Sequence, residues 1–571
     1  ISQKYFSAQK LAYICVDRYN TWKVDAIRGK KREELKISHE STPSEYATEV
    51  AVTTADPQPQ PEIPTTPTIE KKPGERSKEL GIGIFRFRFR LENFRIGRNF
   101  SLRRFSIAEA ALLLMMGYLA SRGLGVVRQS MFNALFGTGP EANAYYAAVR
   151  LPETLFNLIA GGALVHAFIP VFVSYEKEHS QRETWRLTSL VFNIMLVTLT
   201  ALTLVAEIFT PAFVDNLLVP GFSPSGKALT TTLTRIMLIQ PFILGLGTIA
   251  SGILSSKRQF LLPALSLAVY NIGLIGGLLF SLAIPGVGIY GPTYGVLAAA
   301  ACQVLVQVPA LLKQGMRYDF YWNLKHPGLH DVLRLLIPGA LTVTVASIGL
   351  IIDSYFASFF PDKASFSALH NAQLLFALPV ALFAQAVSQA ALPQMSSEAA
   401  SGRYARLRQT ALKVIGAALL LSVASAVLLY FLGKPTIRIL FQHGAFTRHS
   451  SSLTNLALLG YAVGLPGEVT AQLLGRSFYA LKRAYIPLLT NIVGLGIRYG
   501  FILLLLQMIT GNNHILSIPL AASAESTCEA LILALLLFIA LHSKVKTDKG
   551  MQRLLRRNSK RRKEIEIPTS G

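Results

Sequence analysis

Cysteine is almost missing from this chain. Cys15, Cys302 and Cys528 are the three in 571 residues, too few and too scattered for a disulfide framework. No Cys/His group has zinc-ligand spacing, and no phosphate-binding Lys loop, His-Glu-x-x-His pair or nucleophile elbow occurs, so neither an enzyme nor a bound cofactor or metal is expected. Charge is scarce too. Asp, Glu, Lys and Arg make up 15% of the residues against 51% hydrophobic, which excludes an ordinary water-soluble domain. The acids are scarcer than the bases, 32 against 56. That surplus would suit nucleic acid, but the basic tail from Lys544 lacks the aromatic residues that stack bases. No apolar run of signal-peptide length precedes the first long apolar segment.

Long apolar runs dominate what is there. Twelve segments of roughly 20 to 30 residues lie near 107–135, 142–172, 184–210, 228–255, 262–285, 291–314, 331–358, 364–394, 407–432, 449–474, 484–509 and 516–542, each long enough to cross a bilayer as a helix. The fold class expected is an all-α polytopic membrane protein. Basic residues in alternate connections number 16 (Lys177, Arg182, Arg186; Lys257, Arg258; Lys313, Arg317, Lys325, Arg334; Arg403, Arg406, Arg408, Lys413; Arg476, Lys482, Arg483), and the other connections hold five, Lys227, Lys363, Lys434, Arg438 and Arg448. Basic connections stay in the cytoplasm, so both termini are predicted there.

The second half rereads the first at an offset of about 224 residues. Thr210-Pro211 of TPAFVDNLLVPGF answers Lys434-Pro435 of KPTIRILFQHGAF, and Lys257-Arg258 before Pro263 answers Lys482-Arg483 before Pro487. Paired membrane repeats build carriers whose central site lies between two rocking lobes. The predicted organisation is a largely disordered basic region over 1–104, a six-helix lobe over 105–325, a second over 326–543 and a basic cytoplasmic tail over 544–571. The alternating Phe85-Arg86-Phe87-Arg88-Phe89-Arg90 can lie on an anionic leaflet or simply enforce topology. Gly286-Val287-Gly288-Ile289-Tyr290-Gly291 matches G-x-G-x-x-G but falls between two spans and reads as a turn. Pro152, Pro170, Pro241, Pro338, Pro379, Pro393 and Pro466 fall inside spans, where they kink helices that border a cavity.

An Arg at the centre of a membrane helix costs about 2.5–3.5 kcal/mol, so each such residue needs a partner, a cavity or a function. Arg122 and Arg128 lie in the first span, Arg150 in the second and Arg235 in the fourth. Four cations with few acids favour a phosphate-bearing cargo, because guanidinium groups grip phosphate as a fork. In the second half Asp353 takes the repeat position of Arg128, and Arg498 lies at a depth where it could meet Asp353. Either an Asp353–Arg498 pair or a bound cation is expected. Glu468, Glu525 and Glu529 are further candidates for ion or proton handling.

Ser121-Arg122-Gly123-Leu124-Gly125-Val126-Val127-Arg128, Phe136-Gly137-Thr138-Gly139, Leu151-Pro152, Gly161-Gly162-Ala163 and Ala167-Phe168-Ile169-Pro170-Val171-Phe172 resemble the opening of the MurJ (MviN) family. Pro220-Gly221-Phe222, Asn271, Phe356-Ala357-Ser358-Phe359, Phe441-Gln442-His443-Gly444-Ala445-Phe446-Thr447 and Phe478-Tyr479 follow it in order. The resemblance implies a member of the multidrug/oligosaccharidyl-lipid/polysaccharide exporter superfamily. Such a protein flips the murein precursor lipid II, a polyprenyl-pyrophosphate-linked glycan, across the bacterial plasma membrane, driven by the membrane potential, Na+ or H+. It implies cavity roles for Arg122, Arg128 and Arg235, and an ion-linked role for Asp353. Asn143 stands where the family usually has Asp and is kept as a substrate contact. A monomer in contact with membrane lipids is expected, with cell-wall synthesis proteins as candidate partners. Another lipid-linked sugar, an amphiphilic cation exchanged for an ion, or a non-transporting scaffold are the alternatives.

Overall fold

The computed structural model describes residues 107–159, 162–257, 259–381, 394–399, 401–481, 483, 485–509 and 511–565. The region expected over 1–104, including the Phe-Arg alternation, lies outside the described residues, as do Gly161, Arg258, Pro393 and Lys482. Helices occupy the described part of every expected span, and no strand occurs among the described residues.

The first span is one helix, α1 (Ile107–Phe136). Gly137 takes a left-handed turn at φ 58°, where a residue with a Cβ is strained. Pro140 then opens α2 (Pro140–Ala148) at a position whose N–H needs no partner. The second span comes in three pieces, α2, α3 (Arg150–Ile159) and α4 (Gly162–Glu178). α5 (Gln181–Phe213) is capped by Ser180, whose side chain accepts from the Glu183 N–H, and ends in a π turn over Val214–Leu218. The fourth span divides into α6 (Pro224–Met237) and α7 (Gln240–Ser256), with Pro241 in the first turn of α7. α8 (Leu261–Ala283), α9 (Tyr290–Leu305) and α10 (Val308–Lys313) complete the first half.

The second half repeats the plan with fewer breaks. Its helices are α11 (Pro327–Ser358), α12 (Ser365–Val380), α13 (Tyr404–Phe441), α14 (Arg448–Ala480), α15 (Tyr485–Met508) and α16 (Ser517–Ile565). The basic tail expected from residue 544 continues α16 as helix as far as Ile565. Among the described residues, eight helical units are long and apolar enough to cross a membrane by length and composition. Of the others, the second span is interrupted, and residues 382–393 of the expected eighth span lie outside the described residues. Side chains such as Leu204, Ile208 and Phe209 on α5, and Leu420, Tyr430 and Phe431 on α13, stay 59–72% exposed. Apolar surface of that extent belongs against lipid.

The connections at one end meet across the halves. Gly221 N–H donates to Ser358 Oγ at 3.0 Å, Ala445 N–H donates to the Ala134 carbonyl at 2.8 Å, and Thr138 and Ser450 share a hydroxyl bond of 2.7 Å. The end rich in Lys and Arg is joined differently. Tyr175 on α4 packs on the backbone of Gly328 and beside the His326 ring, 5.8 Å between centroids. Between these ends a core of Phe132, Tyr146, Leu274, Phe356, Phe366, Phe441 and Tyr461 runs through both halves.

Candidate functional site

A cavity of about 110 Å³ lies between the halves, bordered by Arg128, Tyr145, Arg150, Glu153, Gln240, Tyr270 and His370 among others. It accommodates a few water-sized positions and is too small for a sugar headgroup, so the halves must part to load one. Arg128 comes from α1 and is steadied by Asn271, which accepts from its guanidinium at 3.4 Å. Asn271 is itself tied to the Ser121 hydroxyl at 3.0 Å and to the Leu267 carbonyl at 3.1 Å. Arg150 begins α3 one turn before Glu153, and its Nε is buried without a hydrogen-bond partner. Neither arginine pairs with a carboxylate among the described residues. Two guanidinium groups against the single carboxylate of Glu153 leave this low-dielectric wall with a surplus of positive charge that attracts an anion.

Behind this wall lies a knot of buried amides that the sequence reading missed. Gln129 donates to Tyr146 Oη at 2.5 Å and to Asn371 Oδ1 at 3.0 Å, and Asn133 donates to the same Asn371 oxygen at 2.7 Å. Gln129 and Asn133 stand one turn apart on α1, a spacing that puts two amides on one face of a membrane helix. That pairing was the signal available in the sequence. Asn371 brings the second half into the same network, and amides sunk in an apolar core hold only when satisfied. Next to it, the His370 ring stacks on Tyr146 with centroids 4.0 Å apart.

The other predicted residues lie elsewhere. Arg122 is exposed and outside the cavity. Arg235 also stands apart from it, 3.3 Å from Glu207, with both side chains nearly half exposed, because its place in the last turn of α6 aims it across the hairpin to α5. Asn143 is buried and engaged in the seam: it donates to the Lys363 carbonyl at 2.7 Å and accepts from the Ser367 N–H at 3.1 Å and from its hydroxyl. It is therefore a contact between the halves and does not border the cavity. Asp353 and Arg498 do meet, Nε to Oδ1 at 2.8 Å with a second bond from the outer nitrogen, and the remaining nitrogen reaches Glu525 at 2.8 Å. Of the two arrangements expected for Asp353, the ion pair is the one formed, with Glu525 as a third member. Glu529 accepts from Thr490 and Asn491 at 3.2 and 3.0 Å, and Glu468 from Gln472 at 2.8 Å.

The family described as lipid II flippase MurJ matches residues 132–556. Over 448 residues the chain is 30% identical to the lipid II flippase MurJ of Burkholderia cenocepacia, covering 76% of this chain and 84% of the relative. It is 28% identical over 432 residues to the probable lipid II flippase MurJ of Rhizobium meliloti, covering 74% and 78%. A solved structure of lipid II flippase MurJ in an inward closed conformation superposes with a TM-score of 0.64 at 27% identity, over 74% of this chain and 86% of that one. A multidrug resistance MATE family transporter of the MOP superfamily, inward-facing, shares the fold at 15% identity and a TM-score of 0.63, over 77% and 98%.

Proposed function

Since the chain belongs to the lipid II flippase MurJ family, we propose that it carries lipid II, a polyprenyl-pyrophosphate-linked glycan, across the bacterial plasma membrane by alternating access. The observation that carries this reading is the pair Arg128 and Arg150, lining a cavity between the halves where Glu153 is the one carboxylate among the described lining residues and forms a salt bridge with neither. A pyrophosphate balances the surplus positive charge, and a fork of guanidinium nitrogens matches its oxygens. The prenyl tail stays in the bilayer while the headgroup crosses.

Arg128 and Arg150 hold the pyrophosphate, and Asn271 orients Arg128. The Lys/Arg-rich end faces the cytoplasm, as the charge bias of the connections requires, and loading begins when the Tyr175–Gly328 contact opens there. The seam at Gly221, Ser358, Ala445 and Ala134 then parts to release the headgroup outside. The driving force is assigned to the membrane potential or to protons at Glu468, Glu525 and Glu529. Sodium at Asp353 is disfavoured in this reading, because Arg498 already neutralises that carboxylate. The protein is taken to work as a monomer.

The test is flipping of lipid II in vesicles. Arg128→Ala is expected to abolish it, and an unchanged rate overturns the proposal.

A further inference from the structure

Among the described residues bordering the central cavity, His370 alone belongs to the second half. It sits on α12, and its ring lies nearly parallel to Tyr146 on α2, inclined by 20° with centroids 4.0 Å apart. Tyr146 is fixed in turn by Gln129, which also reaches Asn371, the residue after His370. The plane of the imidazole is thereby set from both halves. Its hydrogen-bonding capacity is not fully engaged: Nδ1 is buried without a partner, and so is Nε of Arg150 on the wall contributed by α3. Buried polar atoms are ordinarily satisfied. Two exceptions border one small cavity, one from each half and with Arg128 in the same lining, and each is a nitrogen that an anionic headgroup can satisfy.

We propose that His370 donates a hydrogen bond to a phosphoryl oxygen of the headgroup that Arg128 and Arg150 hold, so that the bound anion links the two halves. The inference rests on the reading of this cavity as a pyrophosphate site. A neutral imidazole carries one N–H donor, and a half turn of the ring about Cβ–Cγ preserves the stack on Tyr146 while exchanging the edge turned to the cavity. Every other polar contact to the anion comes from the first half, so His370 is where the second half senses that the cavity is loaded.

The experiment measures binding of farnesyl pyrophosphate to the full chain in lipid nanodiscs by calorimetry. His370→Phe keeps a ring to stack on Tyr146 and removes the donor; His370→Gln keeps an N–H donor without the ring. Loss of one hydrogen bond to an ionic group predicts binding weakened about tenfold or more in H370F, with H370Q close to the parent protein. Binding of H370F equal to the parent overturns the inference. An equal loss in both variants does so as well, since packing and not donation would then be at stake. If H370F cannot be purified folded, His370→Leu takes its place in the same comparison. Arg128→Ala separates the two levels: if it binds as the parent does, the pyrophosphate reading fails, whereas if it loses binding and H370F does not, only the role of His370 fails.

Discussion

Gly221 N–H donates to the Ser358 hydroxyl, and 224 residues later, by the numbering, Ala445 N–H donates to the carbonyl of Ala134, itself 224 residues before Ser358. One sequence repeat thus fastens the same end of the molecule twice, each half supplying a loop to one contact and a helix terminus to the other. A methyl group on Gly221 would overlap the Ser358 carbonyl, and one on Gly444 would overlap that of Ala134.

Gly221→Val should therefore spread this seam. Overpacking of this kind costs about 1–3 kcal/mol, sufficient to shift a balance between closed and open seams. Spin labels on Ser225→Cys and Lys363→Cys should report a longer distance population in the variant than in the parent, and an unchanged distribution would show that the seam has slack.

The Asp353–Arg498–Glu525 group makes a stability prediction. The three side chains are 11–14% exposed, and removing one member of a buried ionic group costs about 3–5 kcal/mol because unpaired charge remains. Arg498→Leu should lower the melting temperature markedly. Adding Asp353→Leu and Glu525→Leu should recover much of that loss. If the single variant melts with the parent, the group is not holding the lobe together.

Asn143→Ala removes three hydrogen bonds from α2, one to Lys363 just before α12 and two to Ser367 in its first turn. A penalty of about 1–3 kcal/mol is expected from the buried groups left unpartnered. Hydrogen exchange at the Ser367 amide should accelerate, while exchange in α15, which Asn143 does not touch, should not change.

The Lys/Arg-rich end should respond to acid. Burial pushes the His326 imidazole below its usual range, with His179 adding to the depression and Glu183 opposing it. A histidine depressed in the packed state takes up its proton more readily once released, so the contact is complete above about pH 6.5 and weakens as pH falls below it. Distances between labels on Lys177→Cys and Lys325→Cys should broaden between pH 7.5 and 5.5, and His326→Phe should remove the response.

The sequence carried the helices and their pairing because apolar length and the 224-residue offset are local signals that packing does not rewrite. Arg128 and Arg150 were legible for the same reason: a charge in an apolar run must be accommodated. The direction of a side chain was harder to read. Arg235 looks like a cavity residue until the rotation of α6 against α5 brings Glu207 within reach, and Asn143 looks like a substrate contact until α12 is packed on it. Asp353 and Arg498 are 145 positions apart, yet their meeting could be anticipated, since two opposite charges at similar depth have strong reason to find each other. His370 and Asn371 gave little warning, for their place at the cavity depends on how two lobes are docked, which no periodicity encodes.

A dissolved ion bound to a carboxylate comes and goes with its concentration, but the guanidinium of Arg498 is tethered to the backbone. The second lobe therefore retains its internal counter-charge in fresh water and in brine alike.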